Sequence, residues 1–386
     1  MNRASDTLQV SLSKVHCYNL KKQHLFDSCK GNSILEVLKD VFALHATNPQ
    51  TPYLSLFARL RSFRKDSFDR LMYEDKKLVR VKGMRGTYFI IKVEDFPLVY
   101  QATRENNAKL KVLKNWGIRE KEYCKVSEKI FEVLQEDGKT LQEIKRVLPA
   151  RLKRTVQRIV GRRKYSATNL SVILNILEIE GKIVSYKGKG TWSPLHPNKY
   201  FLTQKLFPSI NLHSISKDEA KEQLIQRYIT AFGPVSTRDI TWWTGFKASV
   251  VKKLLQERSD KFCRLEIDEL KGIFWMAYKE VKELMATEKP EEVSLELLPY
   301  EDLYLKGYKD RRRFVEAENE HIFYYNGSSA APSILFNNRL VGVWNYGLSR
   351  KEKITFKLIT NLGENVLRLL IKQIKRTGEF LDTLRG

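Results

Sequence analysis

Hydrophobic positions recur at helical spacing in short runs, which glycine or proline tends to close before strand-like pairs follow. Between Gly31 and Leu60, the residues Ile34, Leu38, Val41 and His45 form one stripe of a helix. Ser33 stands where an N-cap belongs, and Asn48-Pro49 predicts the stop, because the residue before proline is pushed out of the α region. Thr51 as cap and Pro52 in the first turn start a second helix. Asp66 to Lys76 reads as a third, with Phe68, Leu71 and Met72 as its apolar positions. Strand-like runs Lys77–Val81 and Thr87–Val93 follow, joined by Lys82-Gly83-Met84-Arg85-Gly86, whose two glycines make a tight turn easy. Three helices and then a hairpin is the order of a winged helix.

That order recurs. After a basic, polar connector over Asn106–Lys125, Ser127–Gln135 reads as a helix. Thr140 caps a short one ending at Leu148-Pro149, and Ser166–Glu180 is a third that Gly181 closes. Ile183–Tyr186 and Lys199–Leu202 are predicted hairpin strands around a basic tip that includes Lys187, Lys189 and Trp192. In the next round Asp218–Phe232 ends at Gly233-Pro234, and a short helix runs from Ser236 or Thr237 to Trp243. Lys247–Arg258 is a third helix, before strands Phe262–Ile267 and Gly272–Ala277. The segments EDGKTLQEI and AFGPVSTRDI each place a glycine ahead of a capped second helix, a repeat of architecture more than of letters.

The acidic, proline-bearing stretch Glu288–Glu292 marks a boundary. Beyond it the expected strands are Ile322–Tyr325, Ser333–Phe336, Arg339–Trp344 and Lys353–Ile359, with Asn337-Asn338 as a hairpin turn. A helix from Glu364 to about Arg376 follows. The predicted fold is mainly α with β-hairpin wings, an α+β class. It comprises three tandem winged-helix domains, 1–105, 106–210 and 211–287, and a small C-terminal β-rich α+β domain over 288–386.

Length supports that division, since 386 residues exceed what one core usually organises. Charge adds a partner. With 69 Lys+Arg against 45 Asp+Glu, the net charge of +24 implies a polyanion, nucleic acid ahead of an acidic membrane surface. Cys17, Cys29, Cys124 and Cys263 are scattered without a C-x-x-C, which predicts reduced thiols in a cytoplasmic protein. His16, Cys17, His24 and Cys29 match no ordinary metal-ligand spacing. No metal or cofactor is expected. Neither a signal peptide nor a membrane span is legible, and the expected location is the cytoplasm, at a bacterial or archaeal nucleoid.

The densest basic stretch lies over 139–164, with ten bases against the single acid Glu143. Arg151, Lys153, Arg154, Arg158, Arg162, Arg163 and Lys164 are its core, suited to neutralising phosphates and fixing register without reading bases. The bland alternative is a solvated helix face. Trp192 and Trp242-Trp243 are the candidates to stack a base drawn from the duplex, although paired tryptophans are more often core. His45 and Thr47 are the odd polar pair, ending an otherwise apolar helix at a sharp turn. Helical geometry sets them about 200° apart, so they share a pocket only if the helix unwinds there. An imidazole and a hydroxyl facing one pocket orient and partly deprotonate a water, whereas the plainer reading of His45 is a core histidine bonded to a carbonyl.

The pieces FALHATNP, YLSLFARL, KGMRGTYFII, FGPVSTRDITWWTGF, LELLPYEDLYLKGYKDR and RLVGVWNY occur in order from Val41 to Tyr346. In them the chain resembles the winged-helix DNA-binding-domain family that includes the AlkZ-like (YcaQ-like) bacterial DNA glycosylases. The resemblance implies three winged helices around a DNA channel and excision of N7-alkylated purines, with crosslink unhooking in some members. It implies a catalytic glutamine, any residue, then glutamine or aspartate; those two positions fall on His45 and Thr47. Both depart from the pattern. The implied activity is that of a monofunctional glycosylase acting on alkylated or crosslinked double-stranded DNA as a monomer. His45 and Thr47 would position water, with Arg59 and Arg85 near the DNA. The competing reading is a non-catalytic DNA-binding protein, a regulator or a damage sensor, and a weaker third is RNA binding.

Overall fold

The computed structural model describes residues 7–105, 107–187, 196–325, 328–347 and 354–385. The chain is mixed α/β and packs as two units, Met1–Phe68 with Glu222–Gly386, and Asp69–Lys221.

The discontinuous unit opens with a strand, Leu8–Val10, and a helix, Leu12–Lys22, that Ser11 caps. Neither was anticipated from the sequence. The strand runs parallel to Phe262–Ile267, which pairs antiparallel with Leu270–Ala277; Val235–Ser236 completes a four-stranded sheet. Val10, Val15, Tyr18, Leu265, Phe274, Met276 and Leu284 pack together as one core beneath it. A second four-stranded sheet orders Leu295–Leu298, Ser333–Phe336, Arg339–Asn345 and Thr355–Leu358. Its hairpin turn is the expected Asn337-Asn338, at φ of 44° and 65°, the left-handed pair that a tight two-residue turn requires. Ile322 and Phe323 are helical rather than extended, and only Tyr324–Tyr325 forms a strand, paired with Ser329–Ala330. The last helix runs from Glu364 to Arg385, because Phe380, Leu381 and Leu384 carry its buried stripe past the predicted end.

The unit 69–221 contains the hairpin Leu78–Lys82 and Tyr88–Lys92, with Arg80 opposite Ile90. The expected connector over 106–125 is instead the helix Ala108–Asn115 and the start of Glu120–Val133. Its lysines conceal an apolar face, with Leu113, Ile118, Tyr123, Val126 and Ile130 in a core shared with Asn169–Ile179. The basic stretch is not a helix face. Thr155–Val160 and Arg163–Thr168 form a two-stranded hairpin, turned at Gly161 with a φ of 59°. Ile159 and Val160 stand exposed near its tip. Asp66–Lys76 holds α geometry over Lys65–Asp69 and then a π-helical turn over Arg70–Glu74.

Local chemistry fixes the helix starts. Ser33 with Glu36, Thr140 with Glu143, and Ser236 with Asp239 each form a reciprocal capping box. The last two follow a two-residue strand and begin corresponding helices of the two matched segments.

Candidate active site

The helix begun at Ser33 stops at Val41, seven residues short of the expected proline stop. Phe42 has φ 69° and ψ −49°, and the Ala43 N–H donates to the Val41 carbonyl at 2.9 Å. That is a γ-turn with positive φ, a rare and strained conformation. Packing holds it: the Phe42 ring is buried and lies 6.4 Å from Trp243, which stacks on Tyr228 at 4.7 Å. Trp243 is therefore core. After the turn Leu44–His45 is extended, so the helical separation of His45 and Thr47 no longer applies. His45 is buried, with 2% of its side chain exposed, and Thr47 is exposed at the following bend. Asn48 closes the bend, its side-chain oxygen accepting from the Gln50 N–H at 2.9 Å.

The Pro299–Arg311 stretch meets this segment. Asp302 is fully buried and takes both Arg59 guanidinium nitrogens, at 2.9 and 2.8 Å, with the Ser55 hydroxyl at 2.6 Å. The Thr51 hydroxyl donates to the Tyr300 carbonyl at 2.6 Å. Arg59, expected at the DNA, is thus a core cation with no exposed surface, and a nucleic-acid contact through it is excluded. Tyr304, and Tyr308 packed against it, are buried too, and burial raises both phenols well above their ordinary range.

Beside Asp302, Glu301 turns the other way. Its φ is 58°; its N–H donates to the Ala330 carbonyl at 2.9 Å, and its Oε1 accepts the Ala330 N–H at 2.8 Å. Its Oε2 lies 3.5 Å from His45 Nε2 and 2.9 Å from Lys306 Nζ. Lys306 also donates to the Ser328 carbonyl at 2.6 Å, and its Nζ is 5.7 Å from the centre of the half-buried Trp242 ring. The result is a buried imidazole beside a carboxylate that a lysine balances, with an indole within one side chain's reach. Such a set can accept and release a proton. Gln50 is nearby in sequence, buried, with its Nε2 unbonded.

Sequence reasoning missed Glu301, Lys306 and Gln50. A signal existed for the first: an acid pair inside LLPYEDLYL is too apolar a setting for two solvated carboxylates.

The remaining predicted cations belong to the other unit. Arg85 is half-buried at the Met84–Gly86 turn, with φ 55°. Arg151 is exposed in a short 3-10 turn, and Arg162, Arg163 and Lys164 are exposed at the hairpin tip. Lys153 donates to the Lys145 carbonyl at 3.1 Å. Arg154 is bidentate to Glu122 at 2.9 and 2.7 Å, which raises its already high pKa and stiffens the hairpin base. Arg158 lies 5.3 Å from the Trp116 ring and 5.5 Å from that of Tyr165. Lys187 donates to the His196 carbonyl, and burial lowers its pKa. Lys189 and Trp192 lie outside the described residues.

Among the described residues no group of three His, Cys, Asp or Glu side chains is arranged to hold a metal. His24 is committed to the Cys29 carbonyl at 2.8 Å and to Asp40 at 2.9 Å. All four cysteines are unpaired thiols, and no described helix is long and apolar enough to cross a membrane.

The family described as DNA glycosylase AlkZ-like matches residues 38–380. No curated protein matches the sequence. Among solved structures, the Streptomyces sahachiroi DNA glycosylase AlkZ superposes with a TM-score of 0.75. The alignment covers 96% of this chain and 98% of that one at 16% identity, a likeness of fold.

Proposed function

Since the chain belongs to the AlkZ-like DNA glycosylase family, we propose that it hydrolyses the N-glycosidic bond of N7-alkylated purines in duplex DNA. The observation that supports this reading is the γ-turn at Phe42, which ends the helix ahead of His45 and Thr47, two side chains able to bond water. Strained backbone held by surrounding packing is characteristic of functional sites.

A purine alkylated at N7 already carries positive charge, so it departs with little acid assistance. The protein must hold a water near C1′ and tolerate an oxocarbenium-like cation. His45 accepts the water's proton, and Thr47 bonds and orients the same water. Trp242 offers a stacking face to the extruded base, beside Lys306. Arg85 and the exposed bases Arg151, Arg162, Arg163 and Lys164 bind phosphates, the two-stranded hairpin acting as a projecting basic arm. The recurring helix–helix–hairpin order supports three winged helices, under the boundaries read from the sequence. A monomer on double-stranded DNA is the simplest assembly, with crosslinked duplex as a second substrate.

Incubation with duplex carrying one N7-methylguanine tests this. Free base and an alkali-labile abasic site are the expected products. The missing family glutamines favour one other reading, a non-catalytic DNA binder. Protection of the duplex without base release from any N7-alkylated substrate decides for it.

A further inference from the structure

We propose that Glu301 is a positioning residue that makes His45 a general base, where other members of the family rely on glutamine. The proposal rests on the glycosylase reading and adds to it the residue that positions its proton acceptor. A glutamine amide orients water but takes no proton at neutral pH. An imidazole does, provided that its tautomer is fixed and the imidazolium it becomes is stabilised.

Glu301 is placed for both tasks. Its Oε2 is 3.5 Å from His45 Nε2, with both side chains almost wholly buried, at 7% and 2% exposure. A carboxylate and an imidazole brought together out of water are not a chance surface encounter. The separation is long for a hydrogen bond, as catalytic contacts often are before substrate arrives. The carboxylate is itself fixed by the Ala330 N–H at 2.8 Å and Lys306 Nζ at 2.9 Å. Its backbone φ of 58° is uncommon for a residue with a β-carbon. Asp302 next door makes a different set of contacts, to Arg59 and Ser55. Glu301 is a second, separately held carboxylate, bound to Ala330 and Lys306 and 3.5 Å from the residue at the motif position.

Protons and electrons balance. Nε2–H faces Glu301, and Nδ1 presents its lone pair to the water. The water oxygen bonds to C1′, and the glycosidic electron pair leaves on the purine, neutralising its charge. The water's proton passes to Nδ1, and the imidazolium rests against Glu301. Lys306 tempers that carboxylate, the Arg59–Asp302 pair is self-neutralised, and Arg227 stacks 5.9 Å from the Phe42 ring. The Glu301 carboxylate faces the imidazole at 3.5 Å.

The test is single-turnover base release from N7-methylguanine duplex by the full chain between pH 5 and 9, with imidazole NMR titration of His45 in parallel. The wild type is expected to gain rate with pH along an acid limb set by His45. In Glu301→Gln the facing charge is gone, so the imidazole titrates lower and the limb moves down by about one pH unit. The plateau falls by up to about tenfold, because a base weaker by about one unit removes the proton less well. Glu301→Asp keeps the charge and recovers part of the loss, which separates the role from a folding defect. His45→Gln loses the limb, and Glu301→Gln added to it costs nothing further. An unmoved limb and titration in Glu301→Gln, or an equal penalty in the His45→Gln background, would make Glu301 a structural residue and overturn the proposal alone. No base release by the wild type at any pH overturns the glycosylase reading together with it.

Discussion

Arg59→Met tests whether the Arg59 guanidinium belongs to the core or to the DNA. The side chain has no exposed surface and makes two hydrogen bonds to Asp302, plus one to the Ser55 carbonyl at 3.0 Å. Methionine fills similar volume without charge. It leaves the Asp302 carboxylate buried, with the Ser55 hydroxyl and the Tyr304 N–H, at 3.0 Å, as its remaining partners among the described residues. Removing one partner of a buried pair costs about 3–5 kcal/mol, since an uncompensated charge remains. In a unit of this size that corresponds to a fall in melting temperature of roughly 6–20 °C. Arg59→Lys keeps the charge but loses the fork geometry and should fall between. Thermal unfolding of the three proteins, with duplex affinity measured below the transition, is the assay. An unchanged melting temperature together with a weaker, less salt-dependent grip on DNA would put Arg59 at the DNA and not in the core.

Three further outcomes are expected. Replacing Arg162, Arg163 and Lys164 with alanine should weaken duplex binding for any sequence, and lower the slope of log K against log salt by about 0.9 for each phosphate no longer neutralised; titrations at several salt concentrations read this, and an unchanged slope removes the hairpin from the interface. Phe42→Ala should cost about 3–5 kcal/mol in chemical denaturation, because a buried ring is removed from the Trp243 cluster; a cost under about 1 kcal/mol would mean the γ-turn is not held by packing. Glu222 is bound by Arg258 at 2.6 and 2.8 Å and by Lys261 at 2.9 Å, which pull its carboxyl down to about 2. A folded pKa below the unfolded one adds stability above the unfolded value, about 4.3, and that stability is lost as pH falls toward 2. Wild type should thus lose more stability than Glu222→Gln across that window, and parallel acid curves would count against the triad.

The elements most legible in the sequence are those that local chemistry determines. Ser33 and Thr140 announce their helices because a cap acts within three residues, as does the pair Ser236-Thr237, of which Ser236 is the cap, and Asn337-Asn338 announces its turn because few residues accept two left-handed conformations. The helix over Ala108–Asn115 was hidden because lysines dominate its letters while a few apolar residues supply its packing. The early stop at Val41 was illegible, since nothing near Phe42 forces a positive φ except a pocket built by Trp243 and Tyr228, two hundred residues away. Arg59 was misassigned for the same reason: its partner Asp302 lies far along the chain. His45 and Thr47 stood out as polar residues at an apolar turn, whereas the carboxylate facing His45 became visible only in three dimensions.

Whether His45 takes part in breaking the glycosidic bond decides most of what is proposed here. Single-turnover release of N7-methylguanine from duplex by His45→Ala, at protein concentrations that saturate the DNA, answers that question. Wild-type affinity with release at least a hundredfold slower is expected, the scale on which a general base contributes about 10²–10⁴. Release at the wild-type rate by His45→Ala would show that the imidazole has no part in the chemistry.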